Sequence, residues 1–84
     1  MIVNPNVVMH EGFDGRSILL NPETRQVVTL NGTALLIWKS LDAGKSVAEI
    51  ATLLAKEFDV TEEKAAADTA QFIEQMKARD LIRD

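Results

Sequence analysis

The sequence predicts an α+β domain, a three-stranded antiparallel sheet followed by three helices. Three observations carry that expectation. Before residue 31, short apolar runs alternate with turn-forming clusters, and no run is long enough for a helix. After residue 31, apolar residues recur at helical spacing in three successive stretches. Each of those stretches opens on a residue suited to capping a helix: Asn31, Ser46 and Thr61. No linker, repeat or low-complexity segment interrupts the order, so residues 1–84 read as a single domain.

The first strand is expected over Asn6–His10, where Val7, Val8 and Met9 follow Pro5. Glu11-Gly12-Phe13-Asp14-Gly15 then forms a turn. Its Gly-x-x-Gly spacing is a poor phosphate loop, because no helix follows to present backbone amides. Ser17–Leu20 is the second strand, and Asn21-Pro22-Glu23-Thr24 the second turn. Gln26–Leu30 is the third strand, and its alternation places Val28 and Leu30 on one face and Val27 and Thr29 on the other. Leu30 should face the core, since the chain enters its helical half immediately afterwards.

Asn31 caps a first helix that carries Ala34, Leu35, Ile37, Trp38 and Leu41 and stops at Asp42-Ala43-Gly44. Ser46-Val47-Ala48-Glu49 is a capping box opening a second helix, with Ile50, Leu53, Leu54 and Phe58 on its apolar face. Thr61 caps a third, whose first turn holds Glu62 and Glu63 where the helix dipole favours anions. Ala65, Thr69, Phe72 and Met76 form its stripe, with Ala66, Ile73 and Asp80 beside it; Leu81-Ile82 closes the chain apolar.

Composition excludes several functions. Thirteen acidic residues against nine basic ones give a net charge of -4, which disfavours nucleic acid and anionic membranes as partners. No apolar run approaches the roughly 20 residues that span a bilayer. No secretory signal opens the chain, and with no cysteine present a cytoplasmic location is expected. His10 with Glu11 and Asp14 offers too few ligands for a metal, and reads as a solvated strand end. Ser17, Ser40 and Ser46 have no recognisable base, and Glu11/Asp14 and Glu62/Glu63 belong to a turn and a helix start. No catalytic residues, cofactor or metal are therefore expected, and Trp38 reads as core.

Two features remain. A third strand followed directly by a helix has its second side either covered by a helix or open, and an open edge with unpaired backbone groups invites strand addition. Ala65, Ala66, Thr69, Phe72, Ile73 and Met76 give the third helix a wide apolar band, suited to a groove beside that strand. The helices and small sheet also suggest a winged helix-turn-helix, and so a DNA regulator as an alternative. However, the third helix sets Glu62, Glu63, Asp68, Glu74 and Asp80 against Lys64, Lys77 and Arg79.

The chain resembles the PqqD-like family along Leu30-Asn31-x-Thr33-Ala34-x-x-Ile37-Trp38-x-x-Leu41-Asp42-x-Gly44-x-Ser46-Val47-x-Glu49-Ile50-Ala51. Phe58-Asp59-Val60, Asp68-Thr69-x-x-Phe72-Ile73-x-x-Met76 and Leu81-Ile82 extend the likeness. The family supplies precursor-peptide recognition domains for ribosomally made, modified peptides. The resemblance implies a winged-helix-like domain that binds a precursor's leader segment without catalysis. It makes Gln26, Val27, Val28, Thr29 and Leu30 the pairing edge, and Asp68, Thr69, Phe72, Ile73 and Met76 the groove wall. Val28→Pro, which removes an amide, is then expected to weaken binding. The single-domain length and Ile37-Trp38 most resemble the standalone proteins of lasso-peptide pathways, which hand the leader to a separate leader peptidase. The alternative partner is a radical modifying enzyme for which the chain acts as a peptide chaperone. Two positions depart from the family pattern: Thr69 replaces an expected aliphatic residue, and Asp80 stands where glycine is frequent.

Overall fold

The computed structural model describes residues 2–12 and 16–83. Its elements run β1 (Ile2–Val3), β2 (Val8–Glu11), β3 (Ser17–Asn21), β4 (Gln26–Leu30), α1 (Gly32–Asp42), α2 (Val47–Glu57), α3 (Glu62–Ala78) and β5 (Ile82–Arg83). The expected meander is present: β2, β3 and β4 form an antiparallel sheet in that order, with Leu19 opposite both Met9 and Val28. The first strand begins two residues later than expected. Asn4 accepts the amide of Asn6 on its side chain and that of Val7 on its carbonyl, so a turn occupies that segment. The middle of the expected first turn, Phe13-Asp14-Gly15, lies outside the described residues.

One face of the sheet is core. Leu19 and Leu30 pack with Ile37, Trp38 and Leu41 of α1, Ile50 and Leu54 of α2, and Ala65, Ile73 and Met76 of α3. All three capping expectations hold. Asn31, Ser46 and Thr61 each accept a backbone amide three residues on, and the Glu49 carboxylate returns the bond to the Ser46 amide at 3.0 Å. Gly44 takes the left-handed conformation (φ 83°) that ends α1.

Two expectations for side chains fail at helix ends. Phe58 is not on the apolar face of α2 but one residue past it, as the exposed C-cap before the left-handed Asp59. Asp80 lies beyond α3, also with positive φ (56°). Glycine, which the resemblance led one to expect at this position, would enter this region without a Cβ clash.

The sequence reading missed β1 and β5, which pair antiparallel, Val3 opposite Ile82, and bring the two ends of the described chain together. A buried polar cluster fixes this pair to the main sheet. Asn4 and Asn21, both fully buried, donate their side-chain amides to the Asp80 carbonyl at 2.8 and 3.2 Å. Their side-chain oxygens accept the amides of Asn6 and Glu23. Both asparagines are thus satisfied on donor and acceptor sides, as burial of an amide requires.

Candidate peptide-docking edge and groove

Among the described residues, β4 pairs only with β3, so its other side is a free edge. The hydrogen bonds closing the two hairpins show which backbone groups that edge offers. Gly12 donates to the Arg16 carbonyl at 2.7 Å, so residue 16 faces β2. In an antiparallel ladder the direction alternates at each residue. Residues 18 and 20 therefore face β2 as well, while Ser17, Leu19 and Asn21 face β4. Their register partners Leu30, Val28 and Gln26 point their amides and carbonyls back at β3. Val27 and Thr29 are the residues whose N–H and C=O project outward. The ladder thus claims the Val28 amide, so Val28→Pro is a test of sheet integrity and not of the edge.

The side chains divide as the alternation predicted. Leu30 is buried in the core, Val28 packs against it half-buried, and Val27 and Thr29 face solvent with Gln26. A strand added at this edge would send alternate side chains to the outer face beside Val27 and to the inner face toward the helices.

At the end of β4, on the helical side, lies an open depression of about 260 Å³. Asn31, Thr33, Ala34 and Ile37 line it from the start of α1. Asp68, Gln71, Phe72 and Gln75 line it from α3, at the i, i+3, i+4, i+7 spacing that puts them on one helix face. The cavity therefore lies between α1 and α3 and meets β4 at Asn31, where a groove directly between strand and helix was expected. Of the five expected wall residues, Asp68 and Phe72 line it half-buried. Thr69, Ile73 and Met76 are buried on the core side of α3. The Thr69 hydroxyl donates to the Ala65 carbonyl at 2.7 Å.

Residues missed by the sequence reading are Asn31, Thr33, Ala34 and Ile37 across the gap, and Gln71 and Gln75 beside Asp68. The glutamines share a helical repeat with Phe72, but selection on apolar residues passes over them. Among the described residues the depression carries one formal charge, the Asp68 carboxylate, which holds the Lys64 ammonium at 3.4 Å along the helix surface. His10 stands exposed on β2, away from this cavity. Among the described residues no three potential ligating side chains gather around a metal position, and no helix is long and apolar enough to cross a membrane.

Residues 16–82 match the family of Coenzyme PQQ synthesis protein D (PqqD). The chain belongs to the PqqD family. A relative from Xanthomonas euvesicatoria pv. vesicatoria (strain 85-10), the PqqA binding protein, is 32% identical over 76 residues, 90% of this chain and 80% of the relative. Two solved structures superpose over nearly the whole chain. One is TbiB1 in complex with the TbiA(beta) leader peptide, at TM-score 0.89 and 24% identity, covering 99% of this chain and 95% of that one. The other is lasso peptide synthetase B1 complexed with the leader peptide, at TM-score 0.88 and 27% identity, covering 98% and 95%. The three-strand, three-helix architecture of this PqqD-family chain is thus that of proteins solved with leader peptides bound.

Proposed function

We propose that this PqqD-family chain is a non-catalytic adaptor. It binds the leader segment of a ribosomally made precursor peptide and presents it to a separate leader peptidase in lasso-peptide maturation. The observation that carries this is the free edge of β4, which runs directly into the depression between α1 and α3. An extended leader would pair with the outward groups of Val27 and Thr29, each hydrogen bond contributing about 0.5–1.5 kcal/mol net. Its inward side chains would enter the depression and supply selectivity. The two solved relatives, each carrying a leader peptide, support the reading. The identity to a PqqA binding protein favours a second reading, a peptide chaperone for a radical modifying enzyme. Both readings share the docking site and differ in the enzyme that receives the peptide.

Titration of isotope-labelled protein with the candidate leader, followed through its backbone amides, tests the docking site. Shifts are expected at Gln26–Leu30, Asn31 and the Asp68–Gln75 face of α3. Val27→Pro removes an outward amide without breaking the β3–β4 ladder, and should weaken binding while the sheet persists. Shifts confined to the β2 side of the sheet, or unchanged affinity in folded Val27→Pro, would sink the reading.

A further inference from the structure

The depression is asymmetric in charge. Its floor offers Ala34, Ile37 and Phe72, yet among the described residues its one charged lining group is Asp68 and no basic side chain lines it. Asp68 and Phe72 stand one helical turn apart on the same face of α3, so a carboxylate and an aromatic ring border the same opening. That pairing suits a cation, which the carboxylate attracts by charge and the ring by its quadrupole. The stem of a lysine or arginine would cover the apolar floor while its head reached Asp68.

The chain already shows this chemistry on itself. Lys64, one turn upstream, places its ammonium on the Asp68 carboxylate, with the Lys64 side chain largely in solvent and that of Asp68 half-buried. A surface pair of this kind is weak and readily exchanged. An acidic side chain entering the depression would meet Asp68 as a like charge. An aliphatic one would cover Asp68 and the Gln71 and Gln75 amides without offering them a partner.

Resting on the reading of β4 as a peptide-docking edge, we propose that the depression selects a basic side chain of the docked peptide, with Asp68 as the specificity-determining residue.

Selection of random peptides, about a dozen residues long, by display against the immobilised full chain tests this in wild type, Val27→Pro, Asp68→Asn and Asp68→Lys. The wild-type pool is expected to enrich lysine or arginine at one fixed position of a shared extended pattern. Asp68→Asn should erase the preference at that position alone, and Asp68→Lys should turn it to aspartate or glutamate. For one selected peptide, replacing the basic residue by glutamine should weaken binding to wild type about tenfold and to Asp68→Asn hardly at all. A pool that depends on Val27 but has a neutral side chain at every position overturns the role of Asp68 and leaves edge docking standing. No enriched pool, or one indifferent to Val27→Pro, overturns both. Should Val27→Pro fail to fold, the selected peptide N-methylated at alternate amides replaces it, because methylation blocks pairing from the peptide side.

Discussion

Thr69 shows how a polar side chain can occupy a core position with its hydroxyl satisfied. It is fully buried where an aliphatic residue was expected, and its hydroxyl returns to the Ala65 carbonyl one turn back. That bond satisfies the donor inside the helix, so no polar atom is orphaned in the core. Thr69→Val keeps the shape and deletes the donor, while the Ala65 carbonyl keeps its ladder bond. Stability should change by no more than about 1 kcal/mol, read as the midpoint of urea unfolding. Peptide affinity should not change, because the side chain does not reach the depression. A large loss of affinity in a folded variant would restore Thr69 to the groove wall. Asp80 solves a different problem. Its backbone sits at positive φ, where aspartate is better tolerated than most residues. Its carboxylate accepts two hydrogen bonds from Arg83, which hold it below its ordinary pKa and raise that of the guanidinium.

Helices and strands were legible where their cause is local. Asn31, Ser46 and Thr61 declare helix starts because an N-cap is a contact across three residues, and Gln26–Leu30 declares a strand through its own alternation. The capping box of α2 gives that local cause a pH signature. The Glu49 carboxylate accepts from the Ser46 amide and its pKa is lowered. A carboxyl whose folded pKa is depressed contributes stability that is present above its ordinary pKa and lost as pH falls through the folded value. Glu49→Gln should therefore destabilise α2 at neutral pH, and the difference from wild type should vanish in acid. Urea midpoints of both proteins across that range would show it, and a difference independent of pH would assign the box no charge component. Ser46→Ala removes the other half and should cost about 0.5–2 kcal/mol. The depression was only half legible. Its floor joins two helices far apart in sequence, and its rim is polar, so apolar periodicity found Phe72 and missed Gln71, Gln75 and the whole α1 wall. The same filter placed Ile73 and Met76 in the groove, since a stripe of apolar residues does not say which neighbour covers it.

Across the whole molecule, the piece that local pattern could not reveal is the clasp between the ends. β1 and β5 are two residues each, too short for alternation to register, and they exist because residues nearly a chain length apart bond to one another. Asn4 and Asn21 converge on the single carbonyl of Asp80 and so tie the N-terminal strand, the β3–β4 hairpin and the exit of α3 to one atom. Replacing either asparagine by alanine removes a buried donor and releases the turn amide that its side-chain oxygen held. Each single variant should lose about 1–3 kcal/mol. The two losses should not add. Once Asn4 is gone, one of the two side-chain donors that fix the Asp80 carbonyl is lost, so the carbonyl is held less firmly and the remaining Asn21 bond is worth less. Sites that share a partner show interaction energies, whereas independent sites add. A double-mutant cycle read by urea unfolding should thus give Asn4→Ala/Asn21→Ala a smaller loss than the sum of its parts. Strict additivity would mean that the two asparagines anchor separate segments, and that the clasp is not one cooperative unit.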